Sequence, residues 1–432
     1  MKYVLFTFVM LALNSWVQAQ DIYFPPNIGE WETTSPEELG WCTDSLVAFE
    51  LFLDEQHSKS FILLKDGKIV LEYYFDEFTQ DSLWYWASGG KSLEAFLIGC
   101  AQEDGFLDIN QPTSDFLGAG WTSLSPEQEA EIGILNQLTM TSGLDDGVVN
   151  SDCTDPECLE FLAAPRERWA YHNAPYTLLS DVLENAVGLS PNLYILSRLT
   201  TPTGIDVYYV PLDYNKVAFS TPRNMAKFGL LIMNRGEWGT NAILSDLDYI
   251  NNMLSPSQEL NPAYGYLWWL NGQSSYMLPG LQLNLPGSLV PEAPENMVAA
   301  IGRNAQIINV VEEEGLVWIR MGEASTFDLV PTALNNEIWT YLNQIICSTN
   351  AVEEKEELLF SFGPNPCENI LHCQGSYSGD ILLLDAMGRT IKRNQVQAHV
   401  PIDINTGDLD RGVYFLKYYG MELLSSQLLI LK

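Results

Sequence analysis

The sequence predicts an α/β (α+β) chain of two units: one sheet built from distant parts of the chain with a helical region inserted, then a small C-terminal β-sandwich. Three observations lead there. Strand-like runs stand at both ends of the first 350 residues, with helical patterns between them. A polar, charged stretch at 348–358, STNAVEEKEEL, has linker composition. Beyond it, short β runs alternate with Gly, Pro and Asn turns. The length of 432 residues also exceeds what one compact core usually holds.

Taken in chain order, residues 1–19 come first. A lysine, an apolar run and a small-residue end at Val17-Gln18-Ala19 form the pattern of a signal peptide cleaved near Ala19. An N-terminal anchor is the alternative, but the run is short for a span and no cysteine follows it for lipid. Residues 61–75, FILLKDGKIVLEYYF, read as a β-hairpin about an Asp66-Gly67 turn. Residues 88–105 read as a helix, and helical spacing returns at 177–187 and 223–235. Residues 305–321, AQIINVVEEEGLVWIRM, return to strand. The second unit, 359–432, carries LLFSF, DILLLDA, GVYFLKYY and QLLILK as strands. A hydrophobic share of 47% is ample for buried cores.

The formal net charge is -35, which repels phosphate backbones and argues against nucleic acid as a partner. Extracellular solubility explains it as well. There are seven cysteines, and export permits disulfides. Cys153 and Cys158 share a short polar loop. Cys42 and Cys347 stand near the two ends of the first unit, and Cys367 and Cys373 can staple the second. Cys100, in an apolar stretch, is left as a buried thiol.

The chemistry centres on WYWASGGKSL. Ser88 and Lys91 lie three apart, on one face where a helix starts. A buried lysine has lowered proton affinity and can take the serine's proton, while the helix end favours developing negative charge. A capping serine beside a solvated lysine is the plain alternative. The segment WAYHNAPY places Tyr171 and Asn173 two apart, so in extended chain they share a side and His172 turns away. Tyr171 can carry a proton and Asn173 can bind an amide. A loop-anchoring tyrosine and a turn asparagine would look the same.

On these residues the chain resembles the serine β-lactamase and penicillin-binding-protein family in its broad sense, nearest the class C enzymes, D,D-peptidases and related esterases. NQLTMTSGL at 136–144, the segment 219–239 ending in an Arg-Gly-x-Trp turn, and YGYLWW at 264–269 extend the resemblance over roughly residues 60–325. It implies a β-lactamase/transpeptidase-like fold over 20–347, an antiparallel sheet flanked by helices plus a helical region. It implies Ser88 as the acylated nucleophile, Lys91 and Tyr171 as its proton carriers, and Asn173 as an amide-binding group. The oxyanion hole would use the Ser88 N–H and one N–H from the facing strand. Relatives carry Lys-Thr-Gly or a histidine version on that strand. Here ENMVAAIGRNAQIINVV, 295–311, resembles a variant ending in Gly-x-x-Gly-Gln, with Gly302 and Gln306 retained and Ala305 in place of glycine. Met297, Val298 and Ala299 would then replace the basic triad, Ala300 would give the second oxyanion N–H, and Gly302 and Gln306 would border substrate. Loss of the basic residue weakens the case for β-lactams and leaves amidase or esterase action open. Arg303 can restore a charge, though a surface arginine is commoner.

Rival chemistries lack parts. Of four histidines, His372 and His399 lie in the second unit, His57 precedes the hairpin and His172 faces away. No Gly-x-Ser-x-Gly elbow, clustered zinc ligands or phosphate-binding glycine loop occurs, so neither metal nor cofactor is expected. Aromatics crowd the motifs (Trp84, Tyr85, Trp86, Trp169, Trp268, Trp269), as core packing requires, and one or two can line a pocket.

FGPNPCENIL, ILLLDAMGRTIKR, DLDRGVYFLKY and the terminal LLILK resemble the C-terminal sorting domain of the type IX secretion system. That resemblance implies export machinery as a partner and a secreted or cell-surface location. A carbohydrate-binding or adhesion sandwich is the alternative. The sequence thus points to an exported acyl-transfer hydrolase acting on a lactam, peptide, ester or amide oligomer. An idle binding module that keeps the pocket is the reading from a different class.

Overall fold

The computed structural model describes residues 22–323, 330–347, 360–375, 377–385, 389–419 and 423–431. The expected signal peptide and linker lie outside the described residues. The chain divides into two compact units between Cys347 and Ser348.

Unit one is built on a six-stranded antiparallel sheet. Its strand order is Lys68–Tyr74, Ser58–Lys65, Leu316–Gly322, Gln306–Val311, Val298–Gly302 and Trp269–Leu270. The expected hairpin turns at Asp66-Gly67, both at positive φ, with Lys65 opposite Lys68. Gly67 is required there, because a Cβ would stand 1.8 Å from the Tyr23 carbonyl oxygen. The apolar run 305–321 becomes two strands joined by a turn at 312–315.

These central strands are buried on both faces, so they read as near-continuous apolar runs. On one face the helix Pro222–Met233 lies so close that a Cβ at Gly229 would stand 2.5 Å from Val317 Cγ1. On the other face Trp339, from the helix Thr332–Ile346, packs edge-on to Trp318 and donates its indole N–H to Asn309 Oδ1 at 2.9 Å. Alternate residues of one strand therefore meet different helices. Helices at Asn173–Thr177 and Leu179–Val187 belong to the inserted region. Among the described residues no helix is long and apolar enough to cross a membrane.

Cys42 is bonded to Cys347 and Cys153 to Cys158, and Cys100 is a buried thiol. The expected Cys367–Cys373 staple is absent: both are free thiols. Cys373 points into the core from Ile370–Gly375, while Cys367 is fixed by pairing with the last strand and lies 3.3 Å from Thr406 Oγ1. Cys367 lies outside the strand that carries Cys373, and each is held by its own packing with no bond between them. The second unit has a three-stranded and a four-stranded antiparallel sheet. One core, including Leu371, Ile381, Leu383, Leu416 and Tyr418, lies between them.

A Gly229→Val variant should be destabilised by about 1–3 kcal/mol through overpacking against the sheet, read as a lower urea midpoint with unchanged slope.

Candidate active site

The strand Trp84–Tyr85 pairs with Asn215–Ser220, and Trp86 then fixes the chain by donating from Nε1 to Ser220 Oγ at 2.8 Å. Ala87 follows at φ +46°, a costly conformation for a residue with a Cβ. That kink carries Ser88 in a short 3₁₀ turn, Ala87–Gly89, one step before the helix Gly90–Glu103. The helix thus begins two residues later than the spacing predicts. It is buried from Gly90 to Ala101, and Gly90 allows it to approach Ala218.

Lys91 is 3% exposed and its Nζ lies 3.0 Å from Ser88 Oγ. Burial pulls its pKa down to about 7, and the charge of Asp152 pushes weakly the other way. The Tyr171 phenol stands beside Ser88, and burial holds it well above its ordinary value. Tyr171 is stacked on Trp269 and edge-on to Tyr264. The three expected groups therefore converge. With the phenol raised and the amine lowered, Lys91 is the more easily deprotonated of the two near neutrality.

Two neighbours escaped sequence reasoning. The Tyr176 ring lies 4.0 Å from Lys91 Nζ, and Tyr171's lies at 5.0 Å. Helical spacing from Asn173 could have flagged Tyr176. Asp152 accepts from Asn173 Nδ2 at 2.7 Å, and only its place beside Cys153 marked it. Ser88, Lys91, Asp152, Asn173, Tyr176 and Arg303 share a cleft of about 350 Å³. A larger hollow of about 510 Å³ near Leu107 and Tyr249 has no nucleophile beside a base. His172 is buried with neither ring nitrogen paired, and burial lowers its pKa to about 4, so it is neutral. Among the described residues no cluster fits a metal.

The third element needs correction. Ala300, expected to give an oxyanion N–H, is a buried mid-strand residue opposite Ile308. Val298 and Ala299 pair with Leu270 and Trp269, and Met297 is buried just before them. The strand meets the serine turn at Gly302, where a Cβ would stand 2.3 Å from Trp86 O and 3.0 Å from the Ser88 nitrogen. The glycine that close approach demands is therefore Gly302, and the expected register is three residues early. The triad position becomes Ala300-Ile301-Gly302, still without a basic residue. Gln306 is fully buried: Nε2 donates to Gly322 O at 2.6 Å and Oε1 accepts from Gly322 N at 3.0 Å. It braces the turn and does not face substrate. Arg320, also fully buried, donates to the carbonyls of Asn304, Ala305, Gln56 and Glu323 and to Ser58 Oγ. Together they hold Asn304 and Ala305 at positive φ, so that Arg303 enters the cleft.

The sequence model of the β-lactamase family matches residues 54–317. This chain belongs to the β-lactamase family. A second match, to a secretion system C-terminal sorting domain, spans 362–432. No curated protein matches the chain in sequence. Solved structures share the β-lactamase fold at low identity. A Bacillus anthracis protein classed as a 6-aminohexanoate-dimer hydrolase is 16% identical at TM-score 0.55, over 74% of this chain and 89% of that one. A penicillin-binding protein homologue from Caulobacter crescentus is 11% identical at TM-score 0.53, over 70% and 98%. A family VIII carboxylesterase is 12% identical at TM-score 0.52, over 69% and 98%.

For this β-lactamase-family chain, a base at Lys91 would act only as the free amine. The rate constant kcat/KM should therefore rise with pH through a midpoint near 7 and level off above it. Asp152→Asn removes the charge that favours the ammonium form, so its midpoint should lie at lower pH. At about pH 6 the variant should retain more of its own plateau rate than the parent.

Proposed function

We propose that this chain is an exported serine hydrolase that forms an acyl-enzyme on Ser88 from an amide, ester or lactam carbonyl. The observation that carries this reading is the 3.0 Å contact between the Ser88 hydroxyl and a buried amine with its pKa near 7. Lys91 takes the serine proton as Oγ attacks the carbonyl carbon. The oxyanion is received by the Ser88 N–H and by the N–H of Arg303, which follows Gly302 at the serine turn. The proton then passes to the leaving nitrogen or oxygen, and Tyr171, beside the serine, steadies the transfer. Water attacks the acyl-enzyme by the reverse path and frees Ser88.

The apolar triad position favours amides and esters over carboxylate-bearing lactams, because it offers no fixed cation where relatives place one. The sorting domain supports delivery outside the cell, and an N-terminal signal peptide ending near Ala19 would begin that route. An idle binding module would have no need of a lysine stripped of water, so the hydrolase reading is preferred.

A fluorophosphonate probe should label the purified protein at Ser88, located by peptide mass spectrometry. Ser88→Ala should abolish labelling, and Lys91→Met should slow it by about 10²–10⁴-fold, the usual contribution of a positioned base. Labelling at another residue, or at an undiminished rate in Lys91→Met, would overturn the assignment.

A further inference from the structure

The wall of the cleft that carries Asp152 has little to hold it. Leu144 and Leu159 are buried in one small core, and of the fourteen residues between them only Cys153 is buried. The stretch contains no strand, and its one helical turn is Pro156–Cys158. Its other ties are polar. Asp146 pairs with Arg168 at 2.6 Å, Ser151 O accepts from Ala174 N at 3.1 Å, and the Tyr214 hydroxyl donates to Asp155 Oδ2 at 2.7 Å. A loop that buries so little apolar surface has low local stability.

The one buried side chain is half of the Cys153–Cys158 disulfide, and Asp152 stands immediately before it. Asp152 lines the cleft with Ser88 and Lys91, accepts from Asn173 Nδ2 at 2.7 Å, and exerts the charge that opposes burial at the Lys91 amine. The covalent link thus holds this carboxylate in place where the weak packing of the loop would not. The other disulfide, Cys42–Cys347, joins positions 305 apart, and neither cysteine nor its neighbours line the cleft. Cys158 is partly exposed and Cys153 is buried, so a reductant meets the bond at the Cys158 sulfur.

Resting on the hydrolase reading above, we propose that the Cys153–Cys158 bond is a redox device that completes the site on export. Closed, it holds Asp152 against Asn173 beside Lys91. Open, it frees the loop and slows acylation of Ser88. Opening is thiol–disulfide exchange with a dithiol. One thiolate attacks the Cys158 sulfur and expels Cys153 as a thiolate, which takes up a proton. The second thiolate then displaces Cys158 and closes the reductant's own disulfide. Two electrons and two protons pass from the dithiol to the protein, and closing runs the same steps backward with an oxidised dithiol as acceptor. A reducing cytoplasm keeps the pair open and an oxidising exterior keeps it closed. The bond and the sorting domain at 362–432 therefore act in sequence, and hydrolysis begins where the chain is delivered.

The test compares the purified full chain before and after treatment with tris(2-carboxyethyl)phosphine, with p-nitrophenyl acetate as substrate. Alkylation and peptide mass spectrometry show whether Cys153 and Cys158 are reduced, and near-UV circular dichroism follows the fold. Reduction should lower kcat/KM on the pH plateau by about tenfold or more, as loss of positioning does, while the dichroism is retained. Asp152 favours the ammonium form of Lys91, so its release should also move the pH midpoint below that of the oxidised protein. Reoxidation should restore both. A Cys153→Ser/Cys158→Ser variant should match the reduced parent and no longer respond to the phosphine. Whichever of the two keeps its fold is read, and collapse of both overturns the proposal. So does an unchanged plateau, an unchanged midpoint, or a phosphine response that persists in the double variant. Fluorophosphonate labelling of Ser88 separates the failures. Equal labelling rates in the two redox forms refute the redox claim alone, whereas no labelling of the oxidised form refutes the hydrolase reading and this inference together.

Discussion

Lys91 loses its water shell at the start of the helix Gly90–Glu103, and the Ser88 hydroxyl and the rings of Tyr171 and Tyr176 stand where water would be. Moving the amine from its ordinary 10.5 to about 7 corresponds to roughly 5 kcal/mol against the charged form. Aromatic faces recover part of that cost when the amine does carry charge. Such an environment requires that the whole first part of the helix be buried, and it is, from Gly90 to Ala101. The apolar faces of this helix exist to create the dry pocket as much as to fill a core. Burial also keeps Tyr171 a neutral phenol beside the amine.

A second constraint is the seam between the sheet and the serine turn. Gly302 has no room for a side chain against Trp86 and Ser88, so the strand end and the turn are locked in register. Behind that seam, Arg320 and Gln306 satisfy the carbonyls of a turn with two consecutive left-handed residues. Arg320 is a fully buried guanidinium, and among the described residues it is held by carbonyls and one hydroxyl in place of a carboxylate. Its hydrogen bonds go to backbone at the site's edge, which makes the turn's shape a product of the core.

Much of this was legible because local pattern and tertiary role agree. The hairpin about Asp66-Gly67 carries its turn in its own dipeptide. The spacing of Ser88 and Lys91 puts both at one helix start, and burial of the helix does the rest. The third element was harder. The strand Val298–Gly302, VAAIG, carries no polar side chain, and a run without alternation gives no register. Gly302 was visible as a glycine, but only the nearby Trp86 carbonyl shows why it must be one. Gln306 looked like a substrate contact because its role, bonding both polar groups of Gly322, is made across a sheet. Asp152 and Tyr176 gain meaning only when a loop and a helix distant from Lys91 fold against it. The cysteine pairing in the second unit failed for a related reason: nearness in sequence did not reveal that Cys367, before the strand Ile370–Gly375, is held by the last strand and not by Cys373.

The proposed chemistry depends on the protonation state of one amine, which can be observed directly. Lysine Cε carbons labelled with ¹³C can be followed by NMR as pH is raised, with Lys91→Met to assign the resonance. One signal should titrate near 7 and vanish in the variant. If the Lys91 signal instead titrates near the ordinary lysine value of about 10.5, the amine is solvated and the proposed base does not exist.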